Sequence, residues 1–224
     1  MDLYDEKSII AIIINSYNNY LEKLNNRVFL YVYKDHENKY QYEQVHFTKR
    51  HFKHLCGISD DEEDVIEYTK KGIIKKITTS KQFYKLIEKR KLSPKHIILK
   101  KDGSSKQKIN IINNIDKVTN RETLYYCTKQ PKGKNALKCD YMIGLKNGNI
   151  TLAMGRKETY SYPKSSLEYG LSSETDDRFL FPIEMVFEKE LNSRSKYKRI
   201  LIGNAENIKL LPTEIQELIS IETD

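Results

Sequence analysis

Hydrophobic positions at the start of the chain recur every three to four residues. In EKSIIAIIINSYNNYLEKL, residues 6 to 24, Ile9, Ile10, Ile13, Tyr17, Tyr20 and Leu21 share one stripe, which predicts an amphipathic helix. The period then shortens to two. RVFLYVYK (27 to 34) and YQYEQVHFT (40 to 48) alternate apolar and polar residues around DHENK and predict a hairpin. In GISDDEEDVIEYTKKG, Ser59 and Glu62 stand at capping-box spacing, acids fill the first turn, lysines the last, and Gly72 can close a helix. TTSKQFYKLIEKRKLSP (78 to 94) predicts a basic helix with Phe83, Leu86, Ile87 and Arg90 on one face, ending before Pro94. A further helix is expected to about Val118, with Ile109, Ile112 and Ile115 turned inward.

From about residue 122 the period is two again. ETLYYCT, ALKCDYMIGL, NITLAMG and ETYSYP read as short strands separated by the turns PKGKN, KNGN and GRK. FLFPIEMVFEKE and YKRILIG add two more, and a short helix follows Pro212. Helices first and a meander afterwards predict an α+β fold, with N-terminal helices packed on one face of a mainly antiparallel β-sheet and the other face open. Residues 1–172 are expected to form the main domain, and residues 173–224 a C-terminal extension of the same globule with strands and a short helix.

The 224 residues suit one domain of ordinary size. No apolar run approaches a membrane span, and the N-terminal IIAIII stretch is short and lacks the basic start and cleavage site of a signal peptide, so a cytoplasmic protein is expected. Three cysteines, Cys56, Cys127 and Cys139, without Cys-x-x-Cys spacing, argue against a disulfide framework and a zinc knuckle. The net charge of +8 conceals a division. Lys70 to Lys138 hold 20 Lys and Arg against 4 acids, a net +16, and the remainder carries −8. Such a one-sided field attracts polyanions, of which nucleic acid is the commonest in a cytoplasm.

There is no Gly-x-x-x-x-Gly-Lys, Gly-x-Gly-x-x-Gly, His-Glu-x-x-His or Gly-x-Ser-x-Gly, which removes support for nucleotide hydrolysis, dinucleotide redox, zincin and ordinary esterase chemistry. The acid run Asp60 to Asp64 reads as dipole partners of a helix start rather than a metal cluster. TKRHFKHLCGI (48 to 58) is more informative: His51 and His54 stand three apart in a basic segment that stops at Gly57. Histidine titrates near neutrality and suits proton transfer, although a short helix can also carry it as surface.

The order FTKRHFKHLCGI, FYKLIEKRKLSP, SKQKINIINNI, a Tyr-rich meander and YSYPKSSL resembles the phage-type nucleases grouped with barnase, EndoU, the colicin ribonucleases and RelE, over about residues 8 to 170. Its marker is Phe-x-His-Leu-x-Gly at Phe52, His54, Leu55 and Gly57, with Cys56 where Thr is more usual; residues after about 172 have no clear counterpart. The resemblance implies helices on an antiparallel sheet whose open face holds RNA, and cleavage without metal or cofactor by attack of the neighbouring 2′-hydroxyl. His54 would then do acid/base work, Lys106 or Lys108 and Arg156 would stabilise charge, and Ser165 of the Pro-x-Ser element at Pro163 would position phosphate. Lys101, Lys106 and Lys164 are further candidate RNA contacts. Tyr126, Tyr141, Tyr160 and Tyr162 offer stacking surfaces, and His51 is expected on the solvent side as an RNA contact.

The first expectation is therefore a metal-independent endoribonuclease of phage or mobile-element type acting on RNA. The second is a non-catalytic RNA- or ribonucleoprotein-binding protein on the same scaffold, such as a phage inhibitor of a host defence complex; an antitoxin-like partner fits the first. A third, a metal-dependent nuclease, would draw on Asp140, Glu158, Asp176 and Asp177, whose spacing is not persuasive.

Overall fold

A computed structural model describes residues 6–58, 79–99, 103–121, 123–128 and 138–221. The helix expected over 59 to 72, the turn PKGKN and Lys101 lie outside the described residues. The described elements run α1 (Glu6–Lys23), β1 (Arg27–Lys34), β2 (Tyr40–Phe47), α2 (Lys49–Leu55), α3 (Ser80–Glu88), α4 (Ser104–Ile112), α5 (Lys117–Asn120), β3 (Leu124–Cys127), β4 (Tyr141–Leu145), β5 (Thr151–Arg156), β6 (Ser161–Leu167), α6 (Leu171–Glu174), β7 (Leu180–Glu190), β8 (Arg199–Ile202) and α7 (Thr213–Gln216). The periodic stripe of α1 is its buried face: Ile9, Ile10, Ile13, Tyr17 and Tyr20 are all under 9% exposed. β3 to β6 form the antiparallel meander that the turn chemistry predicts.

The open sheet does not form. β7 pairs antiparallel with both β3 and β1, and β2 meets β6 in parallel, so seven strands close into a mixed barrel, with β8 attached outside β7. The physical reason lies in β1, whose six central residues are all buried: its alternation separates two apolar environments, not core from water. Phe29, Tyr31 and Tyr33 face the main core with Val45, Phe47, Tyr126, Tyr141, Ile143 and Met154. Val28, Leu30 and Val32 face outward into a second cluster with Met185, Phe187, Tyr197, Leu211, Ile215 and Ile219, so the C-terminal residues cover this wall. A third cluster, around Cys127, Cys139, Met142, Ala153, Leu171 and Leu180, covers the wall behind β3 to β5. All three cysteines are buried and none is in a disulfide.

The barrel's two ends differ. Side chains of α1 to α4 join the main core, and α5 supplies Val118, whose carbonyl accepts a 3.0 Å hydrogen bond from the Tyr31 hydroxyl. Away from the helices, Tyr33, Glu43, Tyr126, Tyr141, Arg156 and Ser161, contributed by six different strands, form a polar closure. Arg156 pairs with Glu43 and donates to the Tyr126 hydroxyl at 2.7 Å, and Ser161 donates to the other Glu43 oxygen at 3.1 Å. Tyr33 stacks on Tyr126 with centroids 4.1 Å apart, and the Arg156 guanidinium lies 5.0 Å from the Tyr141 ring centre. Burial raises the Tyr126 hydroxyl pKa, and the Glu43 hydrogen bond holds Arg156 even higher above neutrality than usual.

α2 is pinned on every side. The Tyr20 hydroxyl donates to Thr48 O at 2.9 Å, the Lys53 N–H donates to the Tyr84 hydroxyl at 3.2 Å, and Ser166 Oγ donates to Leu55 O at 2.6 Å. The helix stops in a Schellman turn: Gly57 has φ +70°, its N–H donates to His54 O, and the Ile58 N–H donates to Lys53 O. A Cβ on Gly57 would stand 2.7 Å from Lys108 Cδ and 3.1 Å from Ser105 Cα, while Ser105 Oγ donates to Gly57 O at 2.7 Å. The glycine thus serves both the left-handed backbone and the close approach of α4. Gly57→Ala should lower stability by about 2 kcal/mol from the backbone alone, with the contact adding to it; a denaturation midpoint equal to wild type would contradict this account.

Candidate nucleic-acid groove

A groove of about 1000 Å³ lies where the α1–β1 turn, the start of α2 and the start of β6 meet. Its walls carry His46, His51, His54, Lys49, Arg50, Lys157, Lys164, Tyr160 and Tyr162, and no carboxylate is among its described lining residues. β2 delivers His46 on its outward side, while the inward positions Glu43, Val45 and Phe47 face the barrel. The β5–β6 hairpin, closed by a 2.7 Å bond from Lys157 N–H to Tyr160 O, delivers the cations and tyrosines of the other wall.

His51 is the third residue of α2, and its Nδ1 accepts the Thr48 N–H at 3.2 Å. In the neutral ring this acceptor role puts the proton on Nε2. Burial is the main cause that lowers its pKa from the ordinary 6.5 to about 4, followed by repulsion from His54, Lys157 and His46. The ring packs on Tyr162 with centroids 5.9 Å apart. The expectation that His51 is a solvent-facing residue is therefore corrected: the ring is half-buried and caps its own helix, and His54, one turn on, is the exposed member of the pair. His46 stacks on Tyr160 at 4.1 Å with planes 6° apart, and burial lowers its pKa as well. Lys157 Nζ lies 5.5 Å from the ring centres of both Tyr160 and Tyr162.

The groove brings together five of the candidate site residues singled out in the sequence: His51, His54, Tyr160, Tyr162 and Lys164. Others stand elsewhere. Lys106 is exposed on α4 and Lys108 lies against Gly57, and neither lines the groove. Arg156 is engaged with Glu43 and Tyr126 in the barrel's polar closure, where Tyr126 is 3% exposed. Ser165 is 3% exposed and sits opposite Ala153; a bulge between Ala153 and Met154 makes Ser166 the serine that reaches α2. Among the four carboxylates considered for metal, Asp140 accepts the Arg156 N–H at 2.7 Å, Asp176 caps a short turn and Asp177 pairs with Lys146 at 2.6 Å. No group of three or more His, Cys, Asp or Glu among the described residues is placed to hold a metal ion.

Sequence reading missed His46, Lys49, Arg50 and Lys157. His46 showed only as an imidazole on the polar side of a strand, and Lys157 closed the predicted turn GRK and looked like turn chemistry. Their convergence depends on the contact between β2 and β6, more than a hundred residues apart in the chain.

A protein-family model described as phage-Barnase-EndoU-ColicinE5/D-RelE like nuclease4 matches residues 12–203. The match runs through β7 and into the residues after β8, beyond the limit near residue 170 set by the resemblance in sequence. Searches of curated proteins and of solved structures gave no match. No helix among the described residues is long and apolar enough to cross a membrane.

The His51 shift has a definite sign. Between pH 6.5 and about 4 the unfolded chain binds a proton at this ring that the folded chain refuses, so the contribution is complete above 6.5 and is lost as pH falls through that window. The urea midpoint of the wild type should drop from about pH 7 to about pH 5, and His51→Asn, which keeps an acceptor but does not titrate, should lose less of it. An equal drop in both proteins would remove His51 as a cause.

Proposed function

Because the chain belongs to the phage-Barnase-EndoU-ColicinE5/D-RelE like nucleases, we propose that it is a metal-independent endoribonuclease of phage or mobile-element type that cleaves RNA in the cytoplasm. The observation that carries the reading is the groove itself, in which three imidazoles, four cationic side chains and two tyrosine rings converge without a described carboxylate. Such a lining attracts a phosphodiester, and it offers none of the carboxylate oxygens that Mg²⁺ or Ca²⁺ prefers.

In this mechanism the exposed His54 takes the proton from the 2′-hydroxyl as that oxygen attacks the adjacent phosphorus. The conjugate acid then returns the proton to the departing 5′-oxygen, the P–O5′ bond breaks and a 2′,3′-cyclic phosphate remains. His51 is neutral at pH 7, so its Nε2–H serves as a hydrogen-bond donor to the phosphate rather than as an acid. Charge stabilisation falls to Lys157, Lys164 and Arg50, which line the groove, in place of Lys108 and Arg156, which do not. Tyr160 and Tyr162 supply faces for unpaired bases.

Incubation of the protein with labelled RNA in EDTA should give products with 2′,3′-cyclic phosphate ends. His54→Ala, at an exposed position, should fold and cut about 10² to 10⁴-fold more slowly. Cleavage that needs added divalent metal, or a fully active variant, would overturn the mechanism. RNA bound in a salt-sensitive way but cut by neither protein would point to the binding protein on a nuclease scaffold, such as an inhibitor of a host defence complex.

A further inference from the structure

Among the described residues, a concentration of positive charge outside the groove lies on α3 and the turn after it. Lys81, Lys85 and Lys89 follow one another at four-residue spacing and are exposed, so a single stripe about 12 Å long carries three like charges. Neighbours of the same sign at that spacing weaken a helix. Arg90, Lys91 and Lys95 extend the surface, and all three are exposed. None of these six cations forms an ion pair with any described residue.

Arg90 adds an independent mark. α3 ends in the same Schellman turn as α2, with the Arg90 N–H donating to Ile87 O and the Lys91 N–H donating to Leu86 O, both at 2.8 Å. At the equivalent position α2 uses Gly57, whereas α3 holds arginine at φ +55°, a backbone region that favours glycine. A cation stands there against the preference of the turn, beside a stripe that is itself electrostatically unfavourable in isolation. The repulsion along the stripe is relieved, and the Arg90 charge is matched, once a polyanion lies on the surface.

The surface is continuous with the groove. Lys49, which lines the groove, has its Nζ 3.8 Å from Glu88 Oε1 on α3, and the Tyr17 hydroxyl donates to the same oxygen at 3.3 Å. Glu88 is the one acid among residues 79 to 99, and it is engaged by Lys49 and by the core residue Tyr17.

We propose that α3 and the turn after it form a second phosphate-binding surface, which holds the stretch of an RNA strand that runs out of the groove past Lys49. The inference rests on the nuclease reading and narrows its substrate: the enzyme is built for RNA longer than the groove, whose distal phosphates lie on Lys81, Lys85, Lys89 and Arg90. A linear polyanion is the fitting partner because one strand can satisfy groove and stripe together, whereas an acidic protein patch would have to match both in shape.

The test replaces Lys81, Lys85 and Lys89 together by Gln in the full chain and compares RNAs of about 4 and about 16 nucleotides, the common range of single-strand sites. On the long RNA, KM should rise roughly tenfold and the salt slope of log KM should shrink by about 2, at 0.7 per lost phosphate contact. kcat on that RNA, and both constants on the short one, should stay at wild-type values. Thermal unfolding should show the variant no less stable, since like charges have been removed. An unchanged KM on the long RNA, or an equal rise on both, would overturn the proposal. If the wild type cuts neither RNA, the nuclease reading fails separately, and binding of the long RNA followed by fluorescence anisotropy still decides: weaker binding by the variant keeps the surface, equal binding removes it. Weaker binding to anionic vesicles with unchanged RNA affinity would also overturn it, in favour of a membrane partner.

Discussion

The fold depends on how the sheet closes on itself between β2 and β6. Across that seam the backbone pairs at one position, Val45 with Ser161, while other neighbouring strands in the barrel share three to eight pairs. Side chains supply what the ladder lacks. Glu43 on β2 takes Arg156 with one oxygen and Ser161 with the other, and so holds both arms of the β5–β6 hairpin against β2. Its side chain is 12% exposed, and a carboxylate so far removed from water persists only with partners of this kind. Closure leaves neither β2 nor β6 as an edge open to another chain. It also creates the groove, because one wall belongs to β2 and α2 and the other to the hairpin that Glu43 holds.

α2 carries the second constraint. It has only seven residues, too short to be stable alone, and it is fixed by what surrounds it: α1 through Tyr20, α3 through Tyr84, β6 through Ser166 and α4 through Gly57. His51 belongs to this framework, since its ring satisfies a backbone N–H at the helix start and is half-buried against Tyr162. Holding it neutral matters to its neighbours. A charged ring there would repel His54, Lys157 and His46, which line the same groove. Two histidines three residues apart therefore do different work, one fixing the helix and the other meeting solvent.

The local elements were legible in sequence because their signals are local. The 3.6-residue stripe of α1, the Thr79 cap of α3 and the turns of the meander each sit within a few residues of the structure that they specify. Closure was not legible. β1 reads as an alternating strand, yet both of its sets of side chains are apolar enough to be buried, and nothing within RVFLYVYK tells which other strand covers the second face. Arg156 and Ser165 were attractive as isolated chemistry, but a carboxylate 113 residues away claims the first and a one-residue bulge redirects the second. His54 was legible because a helix end, a glycine and a histidine make a local pattern. His46 was not, because its meaning depends on Tyr160 across the seam.

Arg156 and Lys157 are adjacent in sequence, and extended backbone sends successive side chains to opposite sides. Arg156 reaches to the edge of the barrel's polar cluster, where Glu43 pairs with it beside Tyr126 and Tyr141 while about half of its own side chain stays in water; the contacts tie three strands together. Lys157 turns out, lies over Tyr160 and Tyr162, and pairs with no described carboxylate. One arginine thus has its charge matched by a carboxylate of the protein, and the next residue presents a charge that no described carboxylate matches. Moving Glu43 to the outer side of the seam would reverse both effects at once, leaving Arg156 unpaired beside Tyr126 and quenching the field of the groove. The same carboxylate therefore closes the barrel and, by staying inside, leaves the described lining of the groove to cations.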